Sequence, residues 1–140
     1  MAIKTDLSVV GSIIFLNLWI WEDIPMTAVQ DILRSLGITR CYKGFKHTEY
    51  AICLAIQDES RLEAITKEIY METAAHFECN WTAVERNIRT AVSRAWSVNP
   101  DLLCQMAGYP LESEPTSSQF IEIISSYIIR SHQSQPLVLP

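Results

Sequence analysis

The sequence lacks the motifs that mark metal sites and most enzymes. It contains no Cys-x-x-Cys pair, and its three histidines stand apart from one another, so we expect no zinc site. It also contains no glycine-rich phosphate loop and no Ser-His-Asp spacing. We therefore predict that the protein is not an enzyme and uses no cofactor, metal or small-molecule substrate. Four cysteines are predicted to be reduced, half-buried core residues of a cytoplasmic protein: Cys41, Cys53, Cys79 and Cys104.

The chain also lacks an excess of positive charge. It has 11 lysines and arginines against 16 aspartates and glutamates, which gives a formal net charge of −5. This balance argues against a protein that binds polyanions without specificity. It leaves room for DNA binding at one surface, because phosphate affinity depends on where the cations lie.

Residues 1–25 form a hydrophobic extension whose role the sequence does not assign. The apolar stretch 7–21 is shorter than the roughly 18 apolar residues expected of a membrane span. A signal peptide would begin with net positive charge, whereas Lys4 is offset by Asp6. Three interpretations stay open: a non-native upstream extension, a strand or helix that packs on the domain or a partner, and a weak membrane anchor.

Residues 26–130 read as a series of short helices separated by caps and turns, with no useful β-alternation. The predicted helices cover residues 27–36, 46–57, 60–69, 71–77, 82–98, 100–107 and 116–130. Besides the helix at residue 82, three of them begin with a capping-box pattern: Thr27 with Gln30, Ser60 with Glu63, and Thr116 with Gln119. The tail 131–140 is rich in Ser, Gln and Pro and is expected to be flexible. The predicted fold is all-α, a compact bundle of about six helices containing a helix-turn-helix.

The segment 82–97 carries the clearest functional pattern. Its apolar residues fall on one helical stripe: Val84, Ile88, Ala91, Val92 and Ala95. The other side is polar: Thr82, Glu85, Arg86, Arg89, Thr90, Ser93 and Ser97. A short helix and a turn precede it, as in a helix-turn-helix that places its second helix in the major groove of DNA.

Two other interpretations of this segment stay open. An exposed pair of arginines one turn apart is more often a solvated helix face than a binding site. Glu85 also forms a capping-box pattern with Thr82, which would occupy its carboxylate at the helix start.

Residues 84–91 (VERNIRTA), followed by Ala95, Trp96 and Ser97, resemble the recognition helix of a known family. This is the C-terminal effector domain of the sporulation initiation response regulator. Further matching segments lie in register at 37–38, 43–45, 65–70, 108–109 and 115–121, so the resemblance covers about residues 27–130. It implies an all-helical domain that regulates transcription and binds double-stranded DNA as a tandem dimer.

The resemblance also implies roles for individual residues. Base contacts would come from Glu85 and Arg86. Phosphate contacts would come from three further residues of the same helix: Thr82, Arg89 and Thr90. A candidate surface for RNA polymerase sigma factor would comprise Asp101, Leu102, Gln105 and Tyr109.

Several positions depart from the family pattern. Ala83 replaces a usual arginine, Thr90 replaces a common histidine, and Met71 replaces a proline, so the two helices flanking it are expected to run together. Glu112 and Glu114 make a loop acidic that is often basic. We expect weaker DNA binding, since each lost bidentate base contact costs about 1–3 kcal/mol. The alternative is a protein-interaction module that antagonises a full-length relative, as a heterodimer, or contacts sigma factor.

The region before the effector-like domain is short. A phosphoacceptor receiver domain needs on the order of 100 residues, and 25 precede Met26. The sequence as given therefore predicts a stand-alone effector domain, with Met26 as a candidate start.

Overall fold

The computed structural model describes residues 26–134, and that part of the chain is all-helical. It contains six α-helices: α1 (Met26–Ser35), α2 (Gly44–Gln57), α3 (Met71–Phe77), α4 (Trp81–Val98), α5 (Pro100–Ala107) and α6 (Ser117–Ser134). A 3₁₀ helix (Glu59–Ala64) and a π-helix (Thr66–Tyr70) lie between α2 and α3. The all-α bundle predicted from the sequence is confirmed. The predictions for residues 1–25 and 135–140 concern segments outside the described residues.

Helix α2 lies at the centre of the bundle, where it packs against α1, α4 and α6. Its buried side includes Ala51, Ile52 and Ala55, none of which is exposed to solvent. Small residues here let neighbouring helices approach closely, while larger side chains from α1 and α6 fill the remaining space. The most buried of these are Leu33, Phe120, Ile121 and Ile124, together with Leu36, which directly follows α1.

Helix ends follow the capping signals at three places. Helix α1 ends at Ser35, and Gly37 follows it with a φ of 80°, which lets the Ile38 N–H donate to the Leu33 carbonyl at 2.8 Å. The Asn99 side chain caps α5 by accepting from the Leu102 N–H at 3.2 Å.

The third place is the start of α6, which has a reciprocal capping box. The Thr116 N–H donates to Gln119 Oε1 at 2.9 Å, and the Gln119 N–H donates to Thr116 Oγ1 at 3.2 Å. It runs to Ser134, four residues beyond the predicted end at residue 130.

The other two capping boxes are absent because tertiary or local partners compete for their side chains. Gln30 does not turn back to Thr27 but donates to Glu49 on α2, with Nε2 and Oε2 2.7 Å apart. The helix expected at Ser60 is a 3₁₀ turn capped by Asp58, whose Oδ1 accepts from the Ser60 N–H at 3.1 Å. The Ser60 hydroxyl also donates to Asp58 Oδ1 at 2.6 Å, and this bond, with that from the Ser60 N–H, lowers the pKa of the Asp58 carboxyl.

The π-helix and α3 form one continuous helical segment. Tyr70 and Met71 both have right-handed helical backbone angles. The expectation that the two helices run together at Met71, where the family usually has proline, is therefore confirmed.

The cysteines occupy more varied positions than predicted. Cys53 is buried, and burial together with the nearby Glu49 raises its thiol pKa to about 12. Cys41 and Cys79 are exposed, so the prediction of a half-buried core position is wrong for both. The reason is local: both residues lie in turns between helices. All four thiols are free.

Within residues 26–134, every helix is too short or too polar to cross a membrane.

Candidate nucleic-acid interface

Helices α3 and α4 and the turn between them have the form of a helix-turn-helix. The turn comprises three residues, because α3 ends at Phe77 and α4 begins at Trp81. Glu78 adopts the left-handed conformation, with φ 54° and ψ 52°, and the Cys79 N–H donates to the Ala74 carbonyl at 3.0 Å. Asn80 is extended and reverses the chain into α4. The predicted helix start at Thr82 is thus one residue late.

Helix α4 has one buried and one exposed side, as its sequence predicts. The five apolar residues of the stripe, from Val84 to Ala95, are at most 1% exposed. The exposed polar residues are Thr82, Arg86, Arg89, Thr90, Ser93, Arg94 and Ser97. Arg86 and Ser93 are seven residues apart, so they lie two turns apart on nearly the same line of the helix surface. The exposed line offers cationic and hydroxyl groups to a ligand.

Glu85 is the exception among the residues expected on this face. Its side chain is only 26% exposed, and its Oε2 accepts from Ser117 Oγ at 2.8 Å. Ser117 is the first residue of α6 and is itself only 4% exposed. The capping box with Thr82 is therefore wrong, because Asn80 occupies the cap position and Ser117 holds the carboxylate.

The second oxygen of Glu85 lies beside Arg89. Glu85 Oε1 and Arg89 Nη1 are 3.6 Å apart, and the Arg89 side chain is 60% exposed. The pair is thus accessible to water and weak, so Arg89 can leave it at small cost. Behind the pair, burial and the Glu85 carboxylate raise the pKa of Tyr70 to about 12. Tyr70 therefore stays neutral at ordinary pH.

The opposite edge of α4 is held by α2. The Asn87 backbone carbonyl lies so close to Gly44 that a Cβ there would overlap it. The Asn87 side-chain amide lies 3.1 Å from His47 Nδ1. It can donate to that nitrogen only while the nitrogen is unprotonated, and burial lowers the pKa of His47 accordingly. Asn87 thus serves to hold α4 on α2.

An aromatic cluster extends this contact to α3. The His47 and Phe77 rings lie 5.0 Å apart, and Tyr50 stacks on His76 at 4.2 Å. The cluster thus packs α2 against α3, the helix that precedes the turn.

Arg94 is a structural cation. Its Nε donates to the Gly37 carbonyl at 3.3 Å, and its guanidinium lies 5.7 Å from the centre of the Tyr42 ring. These contacts hold the turn after α1 against α4. Arg94 is exposed but engaged by these contacts, so Arg86 and Arg89 are the two arginines of α4 that we consider as ligand contacts.

One contact on this face escaped the sequence interpretation. Glu114, in the loop between α5 and α6, accepts from Ser93 Oγ through Oε2 at 2.7 Å. The acidic character of the loop is visible in the sequence. Its contact with Ser93 is not, because 21 residues separate the two side chains. A carboxylate thus lies on the exposed side of α4.

The residues of the candidate sigma-factor surface lie on and just after α5. Asp101 and Gln105 are exposed one turn apart, Leu102 is half-buried, and Tyr109 is 50% exposed. The opposite side of α5 is buried through Leu103 and packs on α6. The four residues therefore share an accessible part of the molecule.

Within residues 26–134, the histidine, cysteine and carboxylate side chains form no cluster of three or more that could hold a metal ion.

The sequence of residues 29–128 matches the family described as "Sporulation initiation factor Spo0A C terminal". The match begins within α1 and ends within α6, so it includes the four helices between them and the helix-turn-helix. This is a family of regulatory DNA-binding domains rather than a class of enzymes. The chain belongs to the family of Spo0A C-terminal domains, the DNA-binding effector domains of response regulators that control sporulation.

Proposed function

We propose that the protein is a sequence-specific regulator of transcription that places α4 in the major groove of double-stranded DNA. The observation that carries this proposal is the exposed face of α4, where Arg86 and Arg89 project while the opposite side is buried. The groove of B-DNA is wide enough to admit such a helix. The regulator would act in the cytoplasm.

Arg86 and Glu85 are the proposed base-reading residues. Arg86 is exposed and can donate two parallel hydrogen bonds to guanine O6 and N7. Glu85 is held through Oε2 by Ser117, which leaves Oε1 to accept from a cytosine amino group. The buried anchor of Glu85 would make its geometry well defined before DNA arrives.

Thr82, Arg89 and Thr90 are the proposed phosphate contacts. Thr82 lies in the first turn of α4, where free backbone N–H groups and the helix dipole favour an anion. Arg89 would exchange its exposed ion pair with Glu85 for a phosphate. The Thr90 hydroxyl donates to the Arg86 carbonyl at 3.1 Å, and would turn to donate to a phosphate instead.

The proposal includes dimer formation on DNA, either as a homodimer on tandem sites or as a heterodimer with a full-length relative.

Fluorescence anisotropy with the full chain tests DNA binding. One labelled duplex has random sequence, and the other is selected from a randomised pool. We expect at least a hundredfold preference for the selected duplex, about 2.7 kcal/mol. Between about 50 mM and about 200 mM salt, affinity should fall with a log–log slope of about −0.9 per phosphate neutralised. Equal binding of both duplexes would contradict sequence specificity.

Two arginine variants separate base reading from phosphate binding. Arg86→Ala should abolish most of the preference between the duplexes, a loss of about 1–3 kcal/mol in discrimination. Arg89→Ala should weaken both duplexes by the same factor and reduce the salt slope by about 1. Arg34→Ala, which removes an exposed arginine of α1, is the matched control and should bind as the unaltered protein does. If all three variants bind alike, α4 is not the DNA-contacting helix.

A second candidate is a protein-interaction module without productive DNA binding. The contact of Glu114 with Ser93 supports it, because it places negative charge on the face that DNA would approach. The accessible residues on and after α5 would contact sigma factor. We expect the protein to co-purify with sigma factor or with a full-length relative after nuclease treatment. The Tyr109→Ala variant should lose this co-purification. Binding of DNA in the absence of such a partner would reject this candidate.

A further inference from the structure

We propose that Glu114 limits the affinity of the protein for DNA by holding a carboxylate on the DNA-facing side of α4. The inference rests on the proposed function, since it concerns the approach of DNA to this helix. It assigns a role to a residue of the loop between α5 and α6, which contributes none of the proposed base or phosphate contacts.

The geometry places Glu114 beside the residues that would bind DNA. Its Oε2 lies 2.7 Å from Ser93 Oγ. Ser93 is exposed and shares a line of the helix surface with Arg86 two turns away. It also follows Glu85 and Arg89 at intervals of four residues along α4. Arg89 therefore lies between two positions that each hold a carboxylate, its own partner Glu85 and the loop residue Glu114.

The loop cannot easily carry Glu114 away from α4. Pro115, the next residue, is buried, and Thr116 begins the capping box of α6. Ser117 is bound to Glu85 on the same helix. Two hydrogen bonds, from Ser93 to Glu114 and from Ser117 to Glu85, thus join this chain segment to α4 on either side of Arg89.

The electrostatic consequence follows from the position of the charge. A phosphate approaching Arg89 meets an attractive guanidinium and, at Ser93 one turn further along α4, the repulsive carboxylate of Glu114. The two effects partly cancel at low salt and are screened at high salt. Ser93 would also donate to a phosphate if its hydroxyl were not already bonded to Glu114. Glu114 therefore weakens the sequence-independent part of binding and leaves the base contact of Arg86 in place.

The test is anisotropy titration of the full chain and its Glu114→Gln variant against the selected and random duplexes. Glutamine keeps the size of the side chain and can still accept from Ser93, so the substitution removes the charge alone. We expect the affinity for both duplexes to rise by the same factor, roughly three- to tenfold at low salt, and to converge with the unaltered protein at high salt. Glu112→Gln removes an equal charge from an exposed position two residues earlier, and should change affinity less than twofold.

The possible results separate this inference from the proposed function. If the unaltered protein binds DNA and Glu114→Gln binds equally well, the role of Glu114 is rejected while the proposed function stands. If Glu112→Gln gains as much as Glu114→Gln, net charge explains the gain and the role of Glu114 is again rejected. If neither the unaltered protein nor Glu114→Gln binds either duplex at low salt, both the proposed function and the inference are overturned.

Discussion

Consecutive residues of α4 have different contacts, although they belong to one helix. Arg86 is exposed to solvent, whereas Glu85 is bonded to Ser117 and Asn87 to His47. These contacts engage α6 on one edge of α4 and α2 on the other. Arg86 is therefore the residue whose loss should affect DNA reading with least effect on folding.

Gly44 is the residue at which a single added carbon should matter most. Replacing it with alanine would bring a Cβ against the Asn87 backbone carbonyl, which cannot move without shifting α4. We expect Gly44→Ala to reduce the free energy of unfolding by about 1–3 kcal/mol, measured by urea denaturation. Lys46→Ala, at an exposed position in the same turn of α2, should change it by less than about 0.5 kcal/mol. Wild-type stability of Gly44→Ala would show that the two helices can separate freely.

At the scale of the helix, α5 and α4 differ in how much their N-terminal caps stabilise them. The N-cap residue of α5, Asn99, accepts a backbone hydrogen bond through its side chain, and Pro100 follows at the first helical position. The N-cap residue of α4, Asn80, makes no such side-chain bond. Helix α4 is instead held by its buried stripe and by the contacts at its two edges, so the cap matters less for it.

This difference predicts unequal effects of the same substitution. Asn99→Ala should cost about 1 kcal/mol of stability, because the Leu102 N–H loses its partner. Asn80→Ala should cost less than about 0.5 kcal/mol, because no side-chain cap is lost. Thermal and urea unfolding of the two variants measure the difference. Equal losses would mean that the Asn80 side chain caps α4 in solution.

At the scale of the whole molecule, the central helix α2 joins the core to the helix-turn-helix. His47 on this helix contacts both Phe77 of α3 and Asn87 of α4. A change at His47 is therefore transmitted to the elements that present the DNA-facing side of the protein. The stability of the whole domain should respond to its protonation.

Acid should destabilise the folded protein through His47. Its pKa is lowered from the ordinary value of 6.5 by burial, so the unfolded chain binds more protons over the range just below that value. The contribution of neutral His47 to stability is fully present above its pKa in the unfolded chain. It is lost as the pH falls towards its lower pKa in the folded protein. Urea unfolding from about pH 7.5 to about pH 5.5 should show decreasing stability. The decrease should be smaller in His47→Gln, and identical pH profiles of the two proteins would exclude His47 as its source.

The sequence predicted more of the fold than of the site. Helix positions and the buried stripe of α4 follow from apolar residues spaced three and four apart, and these depend only on local geometry. The same spacing predicted that Arg86 lies on the exposed side of α4. The partner of Glu85 did not, because the choice between Thr82 and Ser117 depends on how α6 packs against α4.

By itself, the sequence determined which segments are helical, where α1, α5 and α6 end or begin, and to which family the domain belongs. Tertiary structure alone decided the partners of the polar side chains: Gln30 with Glu49, Glu85 with Ser117, and Ser93 with Glu114. The physical reason is one of range. A helical pattern is set by neighbours within four residues, whereas a polar side chain bonds to whichever group the packed chain brings within reach, here from 19 to 32 residues away.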